Sequence, residues 1–199
     1  MTPPRDPEAT RQHILQTTAG VMIANGFKAA SLSDILEKAG VSKGALYHHF
    51  ANKQELGYAV FDEVFVTAFL EDWEEPLSQE NPLEAMCEWL SACSGTISQE
   101  ELDQGCAMGK IAMEMSSVDE GFKIKAVEAF LSLSNRIEAA FSEAHKKGYI
   151  RKNVVPRSVA MFIVAAMQGM IMQGRTIGDP QLFAETVSCL TDYLVTLKP

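Results

Sequence analysis

The chain has 199 residues, room for one domain of ordinary size or a small one followed by a larger one. Its 47% hydrophobic content supports a packed core and excludes a disordered chain. The net charge of -9 disfavours a nucleic-acid partner at first sight, but the charge is uneven. Through residue 56 there are six Lys and Arg against five Asp and Glu; the other eleven basic groups face twenty-one acidic ones. A near-neutral head on an acidic body is compatible with a small DNA-binding segment making local phosphate contacts.

Residues 1–11 are polar and charged, without the apolar stretch of a secretory signal, so reduced thiols and a cytoplasmic location are expected. Cys87, Cys93, Cys106 and Cys189 lack CxxC spacing, and no structural zinc or other metal site is expected. The longest apolar run, residues 159–172, is interrupted by Gln168 and Gly169. It is shorter than the ~18–20 residues a membrane span requires, so no membrane partner is expected.

In chain order the punctuation reads as helix after helix, about nine in all, in an all-α chain. Ile14, Leu15, Thr18, Ala19 and Met22 make one helical stripe, stopped at Asn25-Gly26. Ser31 with Asp34 opens a short helix that Gly40 ends; Ser42 caps a third carrying Leu46 and Phe50. Asn52 caps a fourth, expected to run to about Glu75 before Pro76. Asn81-Pro82, Pro156 and Asp179-Pro180 open later helices, with proline at N1 where its missing N–H costs nothing. Lys146, Lys147 and Gly148 close a long one. Sustained alternation with β-branched enrichment is not found, so strands are not expected.

Residues 31–50 have the layout of a helix-turn-helix, with Ala39-Gly40-Val41-Ser42 as the turn. Ile35, Ala39, Val41 and Leu46 are expected to bury between its helices and against the first helix. The second helix then presents Ser42, Lys43, Gly44, Tyr47 and His48 outward, and Lys43 and Lys53 bracket it with charge for phosphates. The same residues also fit a plain capped helix with a solvated His48-His49 pair.

From residue 11 to residue 57 the chain resembles the DNA-binding domain of the tetracycline-repressor (TetR) family. The resemblance is carried by Ile14-Leu15 through Ala19, Asn25-Gly26-Phe27, residues 31–35, Ala39-Gly40-Val41-Ser42, residues 44–50 and residues 52–56. It implies a helix-turn-helix domain over residues 8–68 and an effector-binding and dimerising domain over residues 69–199. It also implies that Ser42, Lys43, Gly44, Tyr47, His48 and Lys53 contact DNA, supported by Lys28, Ser31 and Ser33. The partners expected are a palindromic double-stranded operator, a second copy of the chain and a small-molecule effector of unknown identity. No cofactor is implied.

The body is less explicit. The last helix places Leu190, Tyr193 and Leu194 on one apolar face, and the preceding one, with Phe162, Ala166, Gly169 and Met170, is apolar almost all round. The resemblance assigns both to a two-fold interface; burial in a monomer is the other reading. Phe65, Phe69, Trp73, Trp89, Met113 and Phe130 are candidates to line an effector pocket, although apolar residues at helical spacing also serve as core. Cys106 lies in a Gly-Cys-x-x-Gly stretch resembling that of one branch of the family, some of whose members respond to electrophiles. Near a helix start and one turn from Lys110, its thiol is a candidate sensor; a small buried hydrophobe is the alternative.

His13, His48, His49 and His145 form no evident catalytic constellation, and GxGxxG, P-loop and HExxH motifs are missing. The chain is therefore expected to be a transcriptional regulator rather than an enzyme. A helical adaptor of the same fold that has lost operator binding is the rival reading.

Overall fold

The computed structural model describes residues 6–199. Its helices begin where a short polar side chain can take up the amides that the first turn leaves unpaired. Asp6 caps α1 (Pro7–Asn25), Ser31 caps α2 (Leu32–Ala39), Ser42 caps α3 (Lys43–His49) and Asn52 caps α4 (Lys53–Val60). The helical run continues through a π-helical stretch (Phe61–Val66) into α5 (Thr67–Glu71). After α6 (Glu74–Ser78) come α7 (Pro82–Thr96), capped by Asn81, and α8 (Gln99–Gln104), opened by a reciprocal Ser98–Glu101 capping box. Then follow α9 (Ala107–Met115), α10 (Glu120–Lys147), α11 (Pro156–Ile177) and α12 (Pro180–Val195). No strand occurs among the described residues.

The nine expected helices are present, with α4, the π stretch and α5 counted as one and the short α6 and α8 added. The fourth helix stops at Glu71, earlier than expected. Pro76 does not end it but lies in the first turn of α6, where a missing N–H leaves no helical bond unmade.

The chain divides into two compact units, each drawing on two stretches of the chain. One unit joins the chain up to Phe69 with Ala107–Val127; the other joins Leu70–Cys106 with Glu128–Pro199. The first contains α1–α5, α9 and the start of α10. Its core is Ile14, Leu15, Met22, Ile35, Leu46, Leu56, Val60, Phe61, Ile111 and Phe122, each almost wholly buried. Each such large side chain contributes about 1.5–3 kcal/mol relative to exposure. Ile35, Ala39, Val41 and Leu46 are all buried, as the helix-turn-helix reading requires.

Polar contacts register the elements of this unit. Arg11 of α1 makes two hydrogen bonds, at 2.7 and 2.5 Å, to the Glu63 carboxylate in the π stretch. Tyr58 donates to Asp119 at 2.7 Å, and Asp119 also accepts the Phe122 amide at the start of α10. Lys125 pairs with Asp62. In the second unit α12 packs on α7 and α11, and α8 packs on α11. Leu83, Met86, Leu90, Leu102, Leu133, Ile137, Phe141, Ile163 and Leu194 fill its core.

Candidate nucleic-acid interface

The reversal between α2 and α3 depends on Gly40, which sits in the left-handed region (φ 63°) and donates its amide to Glu37. The Ser42 hydroxyl then takes up the Ala45 amide at 3.1 Å and starts α3. With Leu46 turned inward, the helix exposes Lys43, Gly44, Tyr47 and His48. Tyr47 is 40% exposed, and the Lys43 ammonium lies 5.8 Å from its ring centroid. At Gly44 an added Cβ would find only the Ser42 hydroxyl, at 3.9 Å, so another backbone can approach α3 closely there. A ring nitrogen of His13 lies 3.0 Å from the Ala39 carbonyl, fixing the end of α2 against α1.

The supporting residues divide. Lys28 and Ser33 are exposed. The Ser31 hydroxyl already accepts the Asp34 amide and lies 2.8 Å from that of Ser33, so its first role is a helix cap. Lys53 departs from the expectation of an outward phosphate ligand. Its ammonium turns in over the Phe27 ring, 4.6 Å from the centroid, and donates to the Lys28 carbonyl at 3.2 Å. Burial pushes its pKa down, and nearby Glu114 opposes that shift.

Two contacts near this surface, made by Glu114 and Lys110, escaped the sequence reading, which placed Lys110 only beside Cys106. The Glu114 carboxylate accepts the Phe27 and Lys28 amides, each at 2.8 Å. Lys110, one turn earlier on α9, donates to the Ile23 carbonyl at 2.5 Å. No local pattern marks either, because the partners lie 86 and 87 residues away.

The candidate effector residues belong to both units. Phe65 and Phe69 are buried in the first unit, whereas Trp73, Trp89, Cys106 and Phe130 belong to the second. There the Trp73 and Trp89 rings pack with centroids 5.0 Å apart. Met113 is 69% exposed, because Met108, Ile111, Ala112 and Met115 occupy the inward face of α9. None of these candidates lines the open groove of about 420 Å³ bordered by Arg11, His49, Phe50, Asn52 and Glu55.

Cys106 is half-buried, with the Gln168 amide donating to its sulfur at 3.7 Å. Gly105 before it has φ +61°, and an added Cβ there would come within 3.1 Å of the Arg175 side chain. The cation expected from Lys110 is engaged with α1 instead.

On α11 and α12, Phe162 and Tyr193 are exposed and meet edge to face; Ala166 and Gly169 are half-buried. Of the other residues expected at the two-fold interface, Met170, Leu190 and Leu194 are covered by the chain itself. They are buried in the chain's own packing, where α12 lies on α7 and α11. Among the described residues no group of three or more His, Cys, Asp or Glu could hold a metal ion, and no helix is long and apolar enough to cross a membrane.

The family model for bacterial regulatory proteins of the tetR family matches residues 14–60, and that for the tetracyclin repressor-like C-terminal domain matches residues 81–190. The chain is 26% identical over 169 residues to the HTH-type transcriptional repressor DhaR of Mycobacterium sp. (strain GP1), covering 82% of this chain and 81% of DhaR. It is 25% identical over 178 residues to the transcriptional regulator AcuR of Cereibacter sphaeroides, covering 85% and 78%. Among solved structures it is similar to Escherichia coli NemR in its reduced form (TM-score 0.81, 20% identity, 96% and 97% of the two chains). It is also similar to a TetR-family regulator from Cytophaga hutchinsonii (TM-score 0.84, 22% identity, 96% of each). At these identities the structures share the fold.

Proposed function

The chain belongs to the TetR family of DNA-binding transcriptional regulators, and from that premise we propose that it is a repressor which binds a palindromic operator as a homodimer and leaves it when a small hydrophobic or electrophilic effector binds. The observation that carries this reading is the outward face of α3. Lys43, Gly44, Tyr47 and His48 are exposed together on a helix whose opposite side is locked into the core. Such a helix enters a major groove, and a two-fold pair of them reads half-sites about 34–36 Å apart. Lys43 supplies charge for phosphate or a guanine edge, Tyr47 and His48 supply hydrogen bonds, and the bare Gly44 permits close approach. Similarity to a repressor, DhaR, supports the direction of regulation.

Pairing is assigned to the exposed parts of α11 and α12, where Met161 and Phe162 lie beside Ala166, Gly169 and Tyr193. Effector binding in residues 69–199 changes the separation of the two α3 helices. A preference of a few kcal/mol for the released state is enough to empty the operator. Cys106 is the proposed site for an electrophile such as an enal or quinone. The thiol S–H bond breaks and its proton passes to solvent; the sulfur adds to the β-carbon, a C–S bond forms as the C=C π pair shifts toward the carbonyl oxygen, and the resulting enolate takes a proton back. The protein acts in the cytoplasm, where its operator is.

The test is fluorescence anisotropy on duplexes from upstream of the protein's own gene, at fixed salt with excess non-specific competitor. Competitor-resistant binding that is lost in Tyr47→Ala, and released by an enal in the wild type but not in Cys106→Ser, supports the whole reading. Binding that competitor removes counts against an operator there, and unchanged release in Cys106→Ser removes the thiol.

A further inference from the structure

We propose that Glu114 and Lys110 of α9 are positioning residues for operator recognition, holding the turn after α1 from which Lys28 and α2 meet DNA; the inference rests on the operator-binding reading above. A helix end leaves carbonyls unpaired, and the following turn begins with amides that have no helical partner. α1 has no basic residue in its own last turn. Lys110 supplies that cation from α9, on the Ile23 carbonyl.

Four residues further along α9, on the same face, Glu114 supplies the complementary anion. One carboxylate oxygen accepts the Phe27 amide and the other the Lys28 amide. The approach is so close that a Cβ on Gly26 would lie 2.7 Å from the carboxylate, and Gly26 is also at φ +81°. The opposite charges on α9 therefore match the opposite polarities of one chain reversal, cation to carbonyl and anion to amides.

The grip is completed from α4. Lys53 donates to the Lys28 carbonyl, so the backbone of Lys28 is held at its nitrogen and its oxygen while its side chain stays exposed. Ahead of it, Phe27 is fixed between the Lys53 ammonium and the Phe122 ring, whose centroid is 4.8 Å away. Three residues after Lys28 comes Ser31, the cap of α2. The placement of Lys28 and the start of α2 is thus set by charge-assisted bonds from two other helices, and these are about twice as strong as neutral ones. Because α9 starts one residue after Cys106, the helix that holds the turn is continuous in sequence with the proposed sensor.

To test this, the wild type enriches a duplex from a random pool, and affinities are then measured on that duplex and on an unrelated one of equal length. Variants are Glu114→Ala, Glu114→Gln, Lys110→Met and Lys110→Arg. The expected result is a loss of about tenfold or more on the enriched duplex for Glu114→Ala and Lys110→Met, with affinity for the unrelated duplex retained and both variants still folded at the assay temperature. Glu114→Gln, which keeps one acceptor oxygen, falls between, and Lys110→Arg restores most of the affinity. Affinities within about twofold of wild type for both disruptive variants overturn the inference. So does a parallel loss on both duplexes with a lower unfolding midpoint, which marks a merely structural role. A pool yielding no enriched duplex with the wild type overturns the operator-binding reading itself, and this inference with it.

Discussion

The Phe162 ring of α11 meets the Tyr193 ring of α12 edge to face, centroids 5.0 Å apart at 71°, while 48% and 37% of the two residues remain exposed. An aromatic pair held rigid yet left open is a ready anchor for a partner surface, because little side-chain freedom remains to be lost on association. Phe162→Glu is therefore expected to convert the proposed dimer to monomer in sedimentation velocity, with a loss of about 2 kcal/mol or more in association free energy. The far-UV spectrum should not change, since Phe162 is not in the core. A Phe162→Glu protein that stays dimeric places the interface elsewhere.

Lys43 and Tyr47 are exposed, and their only mutual contact is a loose cation–ring approach at 5.8 Å. Removing either leaves the core intact, so stability should move by no more than about 0.5 kcal/mol. Operator affinity should fall by about 1–3 kcal/mol in each single alanine variant, read by anisotropy at one salt concentration. If the unfolding midpoint falls in step with affinity, the contact assignment fails.

Gly57 sits where a Cβ would come within 2.2 Å of the Phe27 ring. That ring is backed by Phe122 and capped by Lys53, so it cannot swing aside freely. Gly57→Ala should cost about 1–3 kcal/mol in urea-induced unfolding, the range of an overpacked core. A neutral result means that Phe27 has room the packing does not show.

Asp119 accepts the Phe122 amide first of all, and then Tyr58, Gly121 and Gln54, which together hold its carboxyl below the ordinary value near 3.8. A carboxyl depressed in the folded state binds fewer protons there than in the unfolded chain between its two pKa values. Its stabilisation is complete above about 3.8 and is lost as pH falls through the lower folded value. Asp119→Asn should flatten the acid limb of the stability profile and lower the neutral plateau, both read from thermal midpoints between pH ~2 and ~7. An unchanged acid limb shows that other carboxylates govern it.

Much of the architecture was legible in the sequence because its signals act over a few residues. Ser42, Asn52, Asn81 and Asp179 each cap the helix they precede, and Gly40 takes the left-handed turn that lets α3 fold back on α2. The outward position of Lys43, Tyr47 and His48 followed from helical periodicity once Leu46 was placed inside. Periodicity alone, however, does not say which neighbour covers a face. Only packing decided that Met170, Leu190 and Leu194 are core while Phe162 and Tyr193 are open, and that Met113 points outward. The same holds for charge. Lys53 read as a phosphate ligand, but tertiary structure turned it onto Phe27 and Lys28, and brought Glu114 to amides 86 and 87 residues away. Caps, turns and amphipathic stripes are written in neighbouring residues. The partners of a buried or half-buried charge are chosen by which helices meet, and that is a property of the whole fold.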